Sequence, residues 1–183
     1  MDNGASSYRH FLDGDNNAFS EILDLYRDNL IFFINRTVNN LSVAEELAAD
    51  TFAELVVSRR YNFSVKFKTY LFAIAHHKTV SYVRKQSRYS MLTLEDVEDK
   101  SAEYADFEED LLRDEQRMAV HAALGKIDGN YRQVLHLIYF EEMSYEDAAR
   151  IMKKSRKQID NLVYRGKIAL RKILEKEGFI YEE

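Results

Sequence analysis

The sequence predicts an all-α fold of two small helical domains joined by an acidic linker, with a helix-turn-helix in the C-terminal domain. Its 183 residues include no proline and only six glycines, so residues that interrupt helices are scarce. Apolar residues recur at steps of three and four along most of the chain, which is the helical period. We place the two domains at residues 1–88 and 111–183, with residues 89–110 as a flexible acidic linker.

The first two helices are predicted from an apolar stripe and from capping sequences. Residues 16–38 carry the stripe, and Asp15 or Asn16 is the expected N-cap. A second helix is predicted after the capping-box sequence Ser42-Val-Ala-Glu45. Its outer face is acidic.

A turn-like segment, residues 59–66, leads into a third predicted helix over residues 67–85. Phe67, Leu71 and Ile74 lie at helical spacing and are expected to face inward. These three helices form the predicted first domain.

Four helices are predicted in the second domain, over residues 111–125, 129–141, 144–152 and 155–174. The third begins at Ser144, with Asp147 three residues later, and the last begins with the capping box Ser155-Arg-Lys-Gln158.

The charges are grouped along the chain, although the net charge is −5. Residues 59–88 hold eight bases and no acid, residues 89–115 hold eleven acids and two bases, and residues 150–176 hold ten bases and two acids. Two basic blocks separated by an acidic one predict two contacts with a polyanion. A solvated helix face is the alternative interpretation of each block.

Aromatic residues interleave with the first basic block, a pattern that suits unstacked single-stranded bases. The basic and aromatic residues of this block that are predicted to contact nucleic acid are Arg59, Arg60, Tyr61, Phe63, Lys66, Lys68 and Arg84. Some rings of the block are expected to belong to the core instead.

The last two predicted helices have the layout of a helix-turn-helix, with a short turn and a second helix that is basic and polar at its start. Ala148, Ala149, Ile151 and Met152 would pack the first helix, and Ile159, Leu162 or Val163, and Leu170 would hold the second. The predicted DNA contacts are Arg156, Lys157, Gln158, Asn161, Arg165 and Lys167. Arg and Lys suit guanine edges or phosphates, and Gln and Asn suit adenine.

The composition argues against several other classes of protein. The chain has no cysteine, hence no disulfide or thiolate site. The N-terminus does not resemble a signal peptide and no apolar run is long enough to span a bilayer, so we expect a protein of the cytoplasm without membrane insertion. Adjacent His76 and His77 would point about 100° apart on a helix and do not suit one metal ion. His121 and His136 are isolated, and we expect no enzyme, metal or cofactor.

Four stretches of the sequence resemble the extracytoplasmic-function (ECF) group of bacterial RNA polymerase sigma factors. Ala44-Glu-Glu-Leu-Ala-Ala-Asp-Thr-Phe52 is similar to the second-region signature A-E-D-L-x-Q-x-x-F, and Phe67-Lys-Thr-Tyr-Leu-Phe-Ala-Ile-Ala75 to F-x-x-W-L-x-x-I-A. Ser144-Tyr-Glu-Asp-Ala-Ala149 and Gln158-Ile-Asp-Asn-Leu-Val-Tyr-Arg-Gly-Lys167 resemble the fourth-region helix-turn-helix. The resemblance covers residues 15–88 and 112–174.

The resemblance implies a role for each part of the chain. Glu45, Glu46 and Asp50 would dock on core RNA polymerase. Residues 59–68, which include Asn62, and the helix after them, which carries His77, would bind a flipped base of the melted minus-ten element. The second domain would bind the double-stranded minus-thirty-five element. The acidic linker would thread the RNA exit path. In many members an anti-sigma factor is a further partner, and the free chain is expected to be a monomer.

Four positions depart from the family pattern. Tyr70 stands where Trp is usual, His77 where many members carry Asn, and Ala49 where Gln is usual. Lys153-Lys154 replaces a common Gly-apolar pair, which predicts a turn of different shape.

The main alternative is a regulator that binds operator DNA as a dimer without polymerase. It has no need for a second basic, aromatic block, and the sequence shows no sustained heptad seam for dimerisation. A third interpretation, an anti-sigma or adaptor protein, does not account for the recognition helix.

Overall fold

The structure, a computed structural model, describes residues 3–93 and 115–178, which divide into an N-terminal and a C-terminal unit. The helices of the described residues are α1 (Asn3–Leu12), α2 (Asn16–Val38), α3 (Leu41–Ser58), α4 (Phe67–Thr93), α5 (Glu115–Gly125), α6 (Gly129–Leu135), α7 (Tyr145–Met152) and α8 (Arg156–Lys176). The predicted all-α fold is confirmed. Residues 94–114, which include most of the predicted linker, lie outside the described residues.

Short polar side chains set the starts of α2 and α3. The Asp15 carboxylate accepts a hydrogen bond from the Asn17 amide at 2.9 Å, as the sequence predicts for α2. The cap of α3 differs from the prediction, because the Asn40 side chain accepts from the Val43 amide at 3.1 Å. Ser42 therefore lies inside the helix and does not cap it.

Helix α1 was not predicted from the sequence. It carries Tyr8, which is fully buried and donates its hydroxyl to the Leu55 carbonyl oxygen at 3.1 Å. Burial raises the pKa of Tyr8. A β-carbon at Gly4 would collide with the Tyr26 and Phe67 rings, so the close packing of α1 depends on that glycine.

The core of the N-terminal unit is built from one face of each of its helices. Its largest fully buried side chains are Tyr8, Ile22, Leu30, Phe33, Ile34, Leu55, Phe67, Leu71 and Phe72. Phe67 and Leu71 are buried as predicted, whereas Ile74 is only partly buried. This packing fixes which face of each helix is left to the solvent.

Helix α4 continues beyond its predicted end at Lys85 and includes residues 86–93. No glycine or proline interrupts this stretch. The Ser87 hydroxyl donates to the Val83 carbonyl oxygen at 3.0 Å, one turn back, so this side chain is satisfied within the helix. Residues 89–93, expected to begin the linker, are helical.

Helix α8 organises the C-terminal unit. Its C-terminal half packs on α5, where Leu174 joins Ala119 and Ala123 in a buried cluster. Nearer its middle, a β-carbon on Gly166 would lie 3.3 Å from atoms of Leu135 and Tyr131. The absence of a side chain at Gly166 thus permits the close approach of α6.

The helix predicted over residues 129–141 is interrupted by a π-helical turn, His136–Phe140. The Glu141 amide donates to the His136 carbonyl oxygen at 3.1 Å, and Glu141 Oε1 lies 3.1 Å from His136 Nε2 in a buried pair. The His136 and Phe140 rings stack with centroids 5.2 Å apart. These contacts account for the local change of helical period.

Both predicted caps of the helix-turn-helix are present. The Ser144 hydroxyl accepts from the Asp147 amide and donates to its carboxylate, and Ser155 forms the full capping box with Gln158. The turn between α7 and α8 contains Lys153 with φ 52°. Lys153 therefore adopts the left-handed conformation that glycine favours.

We predict that Lys153→Gly raises the free energy of unfolding by up to about 1 kcal/mol, because glycine adopts this φ without steric cost. Lys154→Gly is the control and is expected to lower stability, since its φ is not positive. Denaturant unfolding followed by circular dichroism measures both. A destabilised Lys153→Gly would contradict the strain at this turn.

Candidate nucleic-acid interface

The outer face of α8 presents a stripe of three polar side chains. Lys157, Asn161 and Arg165 follow one another at intervals of four residues and are all exposed. Ile159 and Val163 lie on the opposite face and are buried. The stripe makes no side-chain hydrogen bond or ion pair with the residues that the structure describes, so its donors face solvent.

Two other predicted DNA contacts already have partners within the protein. Gln158 Oε1 accepts a hydrogen bond from the Ser155 amide at 2.8 Å, which leaves only its amide donors for another group. Bidentate pairing with adenine needs both the oxygen and the nitrogen. Lys167 Nζ lies 5.0 Å from the Tyr139 ring centroid, and its interaction with Tyr139 raises the pKa of Lys167.

Arg156 is exposed but is held by three neighbours. Its Nε donates to Glu146 Oε1 at 2.9 Å, its Nη1 donates to Asp160 Oδ1, and its Cζ lies 4.1 Å from the Tyr145 ring centroid. The guanidinium thus joins the first helix of the helix-turn-helix to the second.

Tyr164 is a candidate contact that the sequence reading did not single out. Its ring is 68% exposed, on the same side of α8 as Asn161. The sequence could have indicated Tyr164, because it is a large aromatic residue at an outward position of an amphipathic helix, three residues after Asn161.

Tyr61, which the sequence assigns to the nucleic-acid surface, lies in the core of the N-terminal unit. It is 5% exposed, its ring contacts Tyr8 and Phe67, and its hydroxyl donates to the Val65 carbonyl oxygen at 2.7 Å. A base cannot stack on a ring in this position. Tyr61 instead closes the segment of residues 59–66 on itself.

Phe63 is only partly buried and has φ 60°, an unusual conformation for an aromatic residue. Its ring centroid lies 4.6 Å from that of Tyr61, and Arg9 Cζ of α1 lies 4.7 Å from the centroid of Phe63. The conformation of this ring is therefore set by buried Tyr61 on the protein side and by α1.

The remaining residues of this segment lie at the surface. Arg59, Arg60 and Lys66 are exposed, and Arg59 ends α3 with φ 46°. Asn62 Oδ1 accepts from both the amide and the hydroxyl of Ser64, at 3.1 and 2.6 Å. The segment is thus a short, internally bonded loop with cations on its outside.

Two of the predicted contacts on α4 share one exposed face. His77 and Arg84 are seven residues apart, which brings them to the same side of the helix. Lys68 is partly buried, with Nζ 5.8 Å from the Phe72 centroid. Lys78 belongs to the same basic block but binds Glu54 at 2.9 Å, so it connects α4 to α3.

Helix α3 has an exposed acidic face made of Glu45, Glu46 and Asp50. Beside it, an apolar groove of about 700 Å³ runs between α2 and α3 and is lined by residues such as Leu23 and Phe52, with Glu45 among its lining residues. Acidic and apolar surface therefore adjoin on this side of the N-terminal unit.

Within residues 3–93 and 115–178, no three His, Asp or Glu side chains are grouped to hold a metal ion. The same stretches contain no helix of the length and apolar character that a membrane crossing requires.

A helix-turn-helix with a basic outer stripe, in one chain with a second helical unit that has a basic loop, is typical of DNA-binding proteins. The family is given by two matches: the model of Sigma-70 region 2 matches residues 22–89, and that of Sigma-70, region 4 matches residues 117–170. The chain belongs to the sigma-70 family and, within it, to the ECF sigma factors.

Two curated relatives from Bacillus subtilis (strain 168) match along most of their length. RNA polymerase sigma factor YlaC is 28% identical over 162 residues, which is 85% of this chain and 92% of the relative. ECF RNA polymerase sigma factor SigW is 27% identical over 173 residues, which is 88% of this chain and 91% of the relative.

The fold is also similar to that of two solved structures. The sigma factor RpoE of Bartonella quintana, solved with the anti-sigma factor NepR, has a TM-score of 0.67 and 25% identity over 86% of this chain and 96% of its own. CnrH, solved with the cytosolic domain of CnrY, has a TM-score of 0.64 and 19% identity, and the match covers 95% of this chain and 96% of CnrH. This similarity concerns the fold alone.

We predict that Tyr61→Phe lowers the free energy of unfolding of the protein by about 1 kcal/mol, because it removes the hydrogen bond to Val65 in a largely buried site. Tyr70→Phe is the matched control: its ring contacts Tyr61, but its hydroxyl bonds to none of the residues described. Denaturant unfolding compares the two. Equal stability of both variants would contradict this role of Tyr61.

Proposed function

We propose that this protein binds core RNA polymerase and directs it to start transcription at specific promoters. The C-terminal unit binds the double-stranded minus-thirty-five element, and the N-terminal unit binds and helps to melt the minus-ten element. The observation that carries the proposal is the presence of Sigma-70 region 2 and region 4, in that order, in one chain. The protein acts in the cytoplasm, where the polymerase and promoter are.

Contact with the duplex is supported by the stripe on α8. Lys157, Asn161 and Arg165 span about 12 Å along the helix axis, at 1.5 Å per residue. That length and the helical form suit the major groove, where Arg and Lys bind guanine or phosphate and Asn pairs with adenine. Tyr164 adds an apolar surface for a thymine methyl group. Gln158 acts mainly in the cap of α8 and Lys167 lies beside the stripe, because both side chains already have partners.

Binding of the minus-ten element is supported by the loop of residues 59–66. Arg59, Arg60 and Lys66 provide cations for the phosphates of a separated strand. Phe63 is the partly exposed aromatic ring of the loop, and Arg9 Cζ lies 4.7 Å from its centroid. Displacement of that guanidinium would open the ring for stacking on a flipped base. Asn62 and Lys68 flank this ring in sequence, and His77 and Arg84 extend the basic surface along α4.

Docking on core polymerase is supported by the acidic face of α3 beside the apolar groove. Glu45, Glu46 and Asp50 give this surface its charge and its orientation, and apolar side chains of the groove give buried area. The acidic linker, which the sequence predicts over residues 89–110 and whose residues 89–93 extend α4, follows the basic path through which RNA leaves the polymerase. An anti-sigma factor is a further partner by analogy with RpoE of Bartonella quintana, which was solved in complex with one. The free chain is a monomer.

Regulation of an operator without polymerase is the competing function. It predicts specific DNA binding by the purified chain, whereas a sigma factor needs polymerase to set the spacing of its two DNA surfaces. No observation on the described residues favours the competing function, and it leaves the N-terminal unit without a role.

We predict that Arg165→Ala lowers transcription from a cognate promoter about tenfold or more, because a base or phosphate contact worth about 1–3 kcal/mol is lost. Binding to core polymerase should be unchanged. Lys176→Ala, near the other end of α8, is the matched control and should transcribe normally. Loss of polymerase binding by Arg165→Ala would refute this assignment of α8.

We predict that Glu46→Lys/Asp50→Lys weakens the affinity for core polymerase at least tenfold, because it reverses the charge of the docking face. Asp13→Lys/Asp24→Lys changes the net charge equally at exposed positions outside α3 and should bind normally. Titration of labelled chain with core polymerase gives both dissociation constants. Equal affinities for the two variants would mean that α3 is not the docking surface.

A further inference from the structure

Arg156 lies at the first position of α8 between two carboxylates. Glu146, on α7, accepts from its Nε at 2.9 Å, and Asp160, one turn along α8, accepts from Nη1. The Tyr145 ring lies beneath the guanidinium, with its centroid 4.1 Å from Cζ. A planar fork can serve both carboxylates and an aromatic face at once, which the single ammonium of a lysine cannot do.

The two carboxylates are in an unusual place for a DNA-reading element. Asp160 is exposed and lies between Lys157 and Asn161 in the turn that begins the outer stripe. Glu146 is exposed in the first turn of α7. Its carboxylate is charged, since a backbone hydrogen bond and Arg156 lower the pKa of Glu146. Without a cation between them, both groups would repel the phosphates that the stripe approaches.

We propose that Arg156 makes the recognition helix compatible with DNA by holding the Asp160 and Glu146 carboxylates in ion pairs, which offsets one of their two negative charges, and that it does not itself read a base. Arg156 is then a positioning residue for its neighbours Lys157 and Asn161. This inference rests on the proposed function, because it concerns the approach of α8 to the minus-thirty-five element. It reverses the expectation from the sequence alone, in which Arg156 is a direct contact.

A rescue experiment separates ion pairing with the carboxylates from direct contact. Holoenzyme is assembled from core polymerase and each variant, and its dissociation constant is measured on a promoter fragment selected with the wild-type holoenzyme. The variants are Arg156→Ala, Glu146→Gln/Asp160→Asn, and the triple combination. Lys157→Ala, alone and with the same double change, is the matched control.

Arg156→Ala should weaken binding about tenfold, the size of one lost cationic contribution. The triple variant should bind within about twofold of Glu146→Gln/Asp160→Asn, because no carboxylate is left for Arg156 to hold away from the phosphates. The double variant itself should bind at least as tightly as the wild type. Lys157→Ala should lose the same factor with and without the double change, since its contact with DNA is direct.

Two results would overturn the proposal. A triple variant that stays about tenfold weaker than the double variant would make Arg156 a direct DNA contact. Weaker binding by Glu146→Gln/Asp160→Asn alone would mean that the carboxylates help binding. If Arg156→Ala does not fold, judged by circular dichroism, the double variant still decides the sign of the carboxylate effect. A wild-type holoenzyme that selects no promoter contradicts the proposed function instead.

Discussion

Burial of one side of α8 is the constraint on which the DNA-reading surface depends. Ile159 and Val163 occupy the core, and Gly166 lies so close to α6 that a β-carbon would be 3.3 Å from Leu135. The rotation of the helix about its own axis is therefore fixed. Since side chains four residues apart share a face, that rotation also fixes the outward direction of Asn161 and Arg165. Apolar packing thus orients groups that it does not contact.

In the N-terminal unit, buried packing likewise orients the surface residues of the loop of residues 59–66. Tyr61 is buried among the rings of Tyr8 and Phe67, and its hydroxyl closes the loop on Val65. The cations of the loop remain outside because their neighbour in sequence is held inside. Phe63, at the border, keeps an unusual backbone conformation that the surrounding packing stabilises.

Local signals in the sequence predicted local structure well. The bounds of α2 and the capping box at Ser155 follow from short-range periodicity and from side chains that bond to the backbone nearby. Helix α1 was missed because its stability comes from the burial of Tyr8 against distant residues, which no local pattern records. The cap of α3 was misplaced for a related reason: Ser42 and Asn40 are both good caps, and the left-handed Asn39 decides between them.

The candidate site was predictable in composition and less so in detail. The sequence identifies basic and amide residues on α8, and the outward stripe contains three of them. It cannot show that Gln158, Arg156 and Lys167 have partners inside the protein, because those partnerships depend on rotamers and on the approach of other elements. Tyr61 likewise fits the pattern of aromatic residues among basic ones whether its ring faces the core or the solvent.

Reconstitution with core RNA polymerase tests whether this chain binds the polymerase and directs it to promoters. The purified chain is mixed with bacterial core enzyme that lacks any sigma subunit, separated by size exclusion, and assayed for transcription on a pool of genomic promoter fragments. If the chain acts as a sigma factor, it elutes with the polymerase and produces discrete new start sites. Failure to elute together, combined with specific DNA binding by the chain alone, would contradict the sigma-factor function and favour a regulator that acts without polymerase.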